Sequence, residues 1–145
     1  MNTRISTLIA GFFALTGGLA AACLKWGYDQ VVTAGNWTWA WPAGRYGSDF
    51  PEGGAIGVIY LLLILYLVAT EPLRPPPLWR PLCTMIFALA AGIVFLIYGY
   101  GPGRTWMDYP GPWITILSTL AVLITATIEM HGAFARVQSA RAPNA

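Results

Sequence analysis

The chain alternates between long uncharged apolar stretches and short segments where its charges collect. Uncharged runs lie between Arg4 and Lys25 (20 residues), Glu52 and Glu71 (18), Arg80 and Arg104 (23), and Asp108 and Glu129 (20). A run of about 18 apolar residues is long enough to cross a ~30 Å hydrocarbon core as a helix. The pattern therefore predicts four transmembrane helices, at about residues 5–24, 55–70, 82–100 and 112–130. Pro51 and the Gly53-Gly54 pair precede the second helix, and Glu71-Pro72 stops it. The third ends at the helix-breaking segment GYGPG, residues 99–103. Pro112 falls in the first turn of the fourth, where the missing N–H has no helical partner in any case. A soluble bundle keeps a polar stripe on every helix, and the segment IYLLLILYLV (59–68) has none.

Composition supports the pattern. Apolar residues make up 57% of the chain and charged ones 10%, against ~25% charged in a soluble domain. This excludes a soluble enzyme, a disulfide scaffold, a disordered tail and a nucleic-acid binder, and a net charge of +2 argues for no polyanionic partner. The expected fold class is all-α: an integral membrane bundle of four transmembrane helices, one polytopic domain over residues 1–145, with a Trp-rich outer loop between helices 1 and 2. Lys and Arg in short loops favour the cytoplasm. Arg4, Arg74, Arg80, Arg136 and Arg141 fall on one side, and Lys25, Arg45 and Arg104 on the other. Both termini are accordingly expected in the cytoplasm of a multi-pass protein, in a bacterial inner membrane.

The first run also fits a secretory signal. Arg4, an apolar core and Ala20-Ala21-Ala22 form the pattern, with Cys23 placed as in a lipoprotein box. It is longer than the usual ~7–15-residue signal core, and Ala20 stands where that box favours Leu. A retained first helix is the expectation. Cys23 and Cys83 then fall at opposite membrane faces, too far apart for a disulfide, and serve as small apolar packing residues. The proline-rich link EPLRPPPLWRP (71–81) reads as a stiff turn between helices 2 and 3, with a docking motif as the sharper reading. No internal repeat supports an inverted-repeat transporter.

The outer loop is the most unusual stretch. Trp37, Trp39 and Trp41 alternate with Thr38 and Ala40, so an extended backbone puts the three indoles on one face. Six of the seven tryptophans fall on the outer side. The plain reading is an aromatic belt in the headgroup layer. A partner-docking surface and a ligand platform, with Arg45 or Asp49 as polar contacts, are the sharper ones.

Helix 1 carries Ala10, Ala14, Gly18 and Ala22 at four-residue spacing, a stripe that lets another helix approach closely in lipid. Helix 3 has a shorter stripe in Ala88, Ala91 and Gly92; the simple reading is that helices 1 and 3 pack inside the bundle, and the sharper one is that part of helix 1 faces another subunit. Helix 4 carries the polar face: Thr115, Ser118, Thr125 and Glu129, with Val122 among them, within about 80° of arc. Its Ser and Thr hydroxyls are expected to bond the carbonyl four residues back. Glu129 lies close to the inner end, with His131 and Arg136 following. It is read as reaching the headgroup layer, with a proton or ion ligand as the alternative.

The lone histidine excludes a bis-histidine haem within the chain, and no zinc ligand set, nucleophile elbow, phosphate loop or metalloprotease motif occurs. The expectation is a non-catalytic membrane subunit with no metal and no cofactor. It would dock larger membrane subunits through helix 1 and the outer aromatic loop. A self-contained oligomeric small transporter is the alternative from a different class. Within the first class, Phe50-Pro51 followed by Gly53-Gly54 and the second span resembles the small four-helix subunit of tripartite tricarboxylate transporters. That resemblance implies a membrane subunit of a secondary transporter.

Overall fold

In the computed structural model, residues 3–27, 30–33, 36–39, 45–47, 51–73, 76–99 and 109–141 are described. Four helices carry the fold: α1 (Thr3–Cys23), α2 (Pro51–Thr70), α3 (Trp79–Gly99) and α4 (Pro110–Arg141). At ~1.5 Å per residue, α1 to α3 are each about 30 Å long and α4 about 48 Å. All four are long and apolar enough to cross a membrane.

Three boundaries differ from the sequence expectation, each for a local reason. α2 begins at Pro51, so Gly53-Gly54 lies inside its first turn rather than ahead of it. α3 begins at Trp79 and takes Pro81 into its first turn, where the opening N–H groups lack helical partners. The turn into it is closed by the Arg80 N–H on the Pro77 carbonyl at 3.1 Å. α4 does not stop near Met130 but runs on to Arg141. The added segment contains Ala133, Ala135 and Gln138, good helix formers that continue an existing helix at little cost.

Each helix packs on its two neighbours in a ring: α1 on α2 and α4, α3 on α2 and α4. α1 and α3 stand across the diagonal, and the small faces of both turn into the core. The α1 stripe meets α2. A Cβ at Gly18 would lie 3.1 Å from Tyr60 Cβ, and one at Gly57 would lie 3.7 Å from Ala22 Cβ. Ala10 and Ala14 are buried in the same core as Ile56, Tyr60, Leu63, Ala88, Ala91, Phe95 and Val122. Gly17 lets Tyr60 and Ser118 close in from two sides, since its added Cβ would sit 2.8 Å from Ser118 Cβ.

The polarity of the bundle is inverted relative to a soluble one. Ser6, Thr84, Thr115 and Ser118 are buried, while Leu8, Phe12, Val68, Leu96 and Ile124 are mostly exposed. A surface this apolar on every helix has lipid as its matching solvent.

Between α1 and α2 the chain forms four short strands: β1 (Lys25–Gly27), β2 (Gln30–Thr33), β3 (Asn36–Trp39) and β4 (Arg45–Tyr46). They pair as two separate antiparallel ribbons, β1 with β4 and β2 with β3. The first ribbon is latched to the end of α1. The Trp26 indole N–H donates to the Ala20 carbonyl at 3.0 Å, one of the last four carbonyls that a helix leaves open. The Trp26 ring packs edge-on against Phe95, 5.7 Å between centroids. The Gly47 N–H bonds the Leu24 carbonyl at 2.8 Å. A Cβ at Gly47 would lie 1.7 Å from the Ala21 carbonyl oxygen, and one at Gly53 would lie 2.0 Å from that of Gly47.

The adjacent glycines of α2 therefore differ sharply. Gly54 has open space where a Cβ would go, whereas Gly53 does not. Gly53→Ala is expected to lower the melting temperature in mild detergent by forcing the latch off α2. Gly54→Ala should be neutral or stabilising by up to ~1 kcal/mol through reduced chain entropy. Equal effects of the two substitutions would contradict the latch.

Candidate functional site

At the end of the bundle opposite the latch, all four helices send polar side chains to one point. Thr70 is the last residue of α2, and Arg80 is the second of α3. Ser6 and Thr7 lie in the first turn or so of α1. Glu129 lies nineteen residues beyond Pro110 along α4, which brings it level with them. Antiparallel neighbours make these distant positions coincide.

Arg80 is the centre. Its side chain is 1% exposed and that of Glu129 8%. Arg80 Nη1 donates to Glu129 Oε1, Nε donates to Thr70 Oγ1 at 3.1 Å, and Nη2 donates to Thr7 Oγ1. The guanidinium thereby bonds the other three helices through its three nitrogens. Glu129 Oε2 accepts from the Ser6 hydroxyl at 3.3 Å. Thr70 passes its own proton back to the Tyr66 carbonyl at 2.8 Å. The Arg80 carbonyl accepts from the Tyr66 and Thr84 hydroxyls, each at 3.0 Å. A cation in the first turn of a helix opposes the helix dipole, and the Glu129 carboxylate offsets that as well as the burial. An exposed ion pair, Arg4 with Glu71 at 3.8 Å, lies at the same end.

A second polar contact ties α2 to α4. Tyr60 Oη and Thr119 Oγ1 are 2.5 Å apart and buried. Thr119 gives its single proton to the Thr115 carbonyl at 2.8 Å, so Tyr60 is the donor. Its hydroxyl is thus held in the bundle interior, close to the buried polar face of α4 that Thr115 and Ser118 share.

The sequence-derived residues distribute unevenly over this arrangement. Thr115, Ser118 and Thr125 are buried on the inner face of α4. As expected of membrane helices, Thr115 and Thr125 bond the carbonyls of Gly111 and Ala121, at 2.9 and 2.8 Å. Glu129 lies level with the ends of α2 and α3, and it is paired there with the buried Arg80 guanidinium. His131 and Arg136 are exposed on the next turns of α4. Trp37 and Trp39 lie on β3, opposite Val32 and Gln30, while Arg45 lies on the other ribbon, paired with Gly27. Trp41 and Asp49 lie outside the described residues. Cys23 and Cys83 are both free. Among the described residues, no three of His, Cys, Asp and Glu come together as a metal site.

Arg80 is the residue that sequence reading missed, counted there only as a loop cation. The signal was available: an arginine at the start of one span and an acid at the same end of the adjacent antiparallel span are level with each other. An intramembrane acid is costly enough to call for such a partner. No family model, no curated protein and no solved structure matches the chain.

Removing one member of the pair strands a buried charge, which costs about 3–5 kcal/mol, whereas replacing both with apolar residues is often neutral. Arg80→Ala or Glu129→Ala should therefore each collapse thermal stability in detergent, and Arg80→Met with Glu129→Leu should restore most of it. Tyr60→Phe removes one hydrogen bond, and such interhelical bonds average only ~0.6 kcal/mol in a membrane protein. It is expected to shift the melting temperature far less than either ion-pair single variant. The reverse ranking would contradict the central position of Arg80.

Proposed function

We propose that the chain is a small multi-pass membrane protein acting as a non-catalytic accessory subunit of a larger membrane complex. The observation that carries this reading is how the buried charge is used. Arg80 and Glu129 bond each other and the hydroxyls of Thr7, Thr70 and Ser6. That is the chemistry of a scaffold, in which strong interactions fix helix positions. A transport path needs polar groups that exchange partners with a solute, and a catalyst needs groups aimed at one.

Two features support a role in assembly. The apolar exterior is interrupted by grooves between α1 and α2 and between α3 and α4, and surfaces of this kind accept other apolar matter in a bilayer. The latched first ribbon holds the Trp-rich segment at one end of the bundle. In the proposed orientation, that end faces away from the cytoplasm. The Arg4–Glu71 end, with the α4 extension and its Arg136, lies inside, consistent with the distribution of Lys and Arg. Pro51, the proline of the element that resembles the small subunit of tripartite tricarboxylate transporters, opens α2, while Phe50 lies outside the described residues. A transporter complex of that type is one concrete form of the proposal.

Purification of the tagged protein from its native membrane in mild detergent, with mass spectrometry of what co-purifies, tests the reading. Large membrane subunits at fixed stoichiometry are expected, and Trp37→Ala with Trp39→Ala should reduce their recovery. A pure homo-oligomer that supports solute flux in liposomes would overturn the proposal in favour of a self-contained transporter.

A further inference from the structure

A groove of about 480 Å3 runs along the outside of the bundle between α1 and α2. Leu8, Phe12 and Leu15 wall it on one side, and Ile64 and Val68 on the other. Its floor passes Gly11, where an added Cβ would meet nothing within 4 Å. The groove thus owes part of its depth to a missing side chain. From Thr7 to Leu15 it extends about 12 Å along the α1 axis, close to the ~15 Å depth of one leaflet of a ~30 Å core.

Its two ends are chemically different. The deep end is hydrocarbon alone. The other end is closed by Thr7 and Glu71, and Glu71 lies 3.8 Å from Arg4. The Arg4 and Glu71 side chains are 66% and 44% exposed, so both charges are reachable from outside the bundle, and an exposed pair of this kind is worth little. An apolar channel one leaflet deep, ending in one cation and one anion side by side, is complementary to a zwitterionic amphiphile.

We propose that this groove is a binding site for one phospholipid with a phosphoethanolamine headgroup. Its acyl chain lies along Gly11, its phosphate meets the Arg4 guanidinium, and its ammonium meets the Glu71 carboxylate. Both headgroup contacts are charge-assisted hydrogen bonds, the stronger class of such bonds. A choline headgroup has no N–H to donate to Glu71. A glycerol headgroup brings no positive charge and sets its phosphate beside an unanswered carboxylate. The inference rests on placing the bundle in a bilayer but not on the identity of any partner complex.

The test is native mass spectrometry of the full chain after equilibration in micelles holding equal amounts of phosphatidylethanolamine, phosphatidylcholine and phosphatidylglycerol. One retained phosphatidylethanolamine is expected, at about tenfold preference, as one lost charge-assisted bond implies. Gly11→Leu fills the groove and should abolish retention, with Gly11→Ala giving a partial loss in a variant that barely perturbs the helix. Glu71→Gln should retain lipid but lose the preference for ethanolamine over choline. Equal retention of the three lipids by the unaltered protein, or undiminished retention by a folded Gly11→Leu, would overturn the proposal. Failure of the bilayer placement reads differently, as release of the chain from membranes by an alkaline carbonate wash.

Discussion

The bundle depends on how it accommodates one buried guanidinium. A buried arginine in an apolar bundle is costly unless its charge is met, and a lone one would draw its helix end towards water. Arg80 instead meets a carboxylate from α4 and hydroxyls from α1 and α2. Each partner satisfies part of a charge that no single helix can satisfy alone. The ring order of the helices, with α1 and α3 on the diagonal, is the arrangement that lets all four reach one point. Lipid provides little hydrophobic drive between helices, so a directional polar contact of this kind has disproportionate influence on their register.

The far end is secured by other means. There the contacts are close backbone approaches at Gly47 and Gly53, the Trp26 indole on an open carbonyl of α1, and its ring against Phe95. The core between the two ends sets alanines of α1 and α3 against Ile56, Tyr60 and Leu63 of α2 and Val122 of α4, with Thr119 as the acceptor for the Tyr60 hydroxyl. Polar bonding at one end, glycine-mediated packing at the other and alanine-rich faces of α1 and α3 between them leave many of the long aliphatic side chains facing out. The inverted polarity is thus a consequence of how the interior is held.

Much of this was legible in the sequence, and the parts that were not have physical causes. Uncharged runs mark the four helices because a hydrocarbon slab tolerates few charges, and that signal does not depend on what packs where. Helix ends were less legible. Pro51 and Pro81 sit in first turns that tolerate them, and Gly53 is a helical residue whose missing Cβ leaves room for the Gly47 carbonyl. The segment after Met130 stays helical although it is no longer uniformly apolar. The small faces of helices 1 and 3 lie in the core, but spacing reports only which face is small and not which helix meets it. Glu129 stood out as a costly acid, but its partner is 49 positions away in the chain, and only the antiparallel arrangement of adjacent spans brings the two together. Of the aromatic loop, the backbone pairing of Trp37 and Trp39 is defined, while their proposed role rests on sequence alone.

The central claim is a contact between two named side chains in a lipid environment, and it can be measured as one. Solid-state NMR dephasing between the labelled Arg80 guanidinium nitrogens and the Glu129 carboxyl carbon, in bilayers, reports their separation directly. The account predicts strong dephasing consistent with an ion pair whose N···O distance is under ~4 Å, lost when either residue is replaced. Full signal with no dephasing, from folded protein in the bilayer, would contradict it.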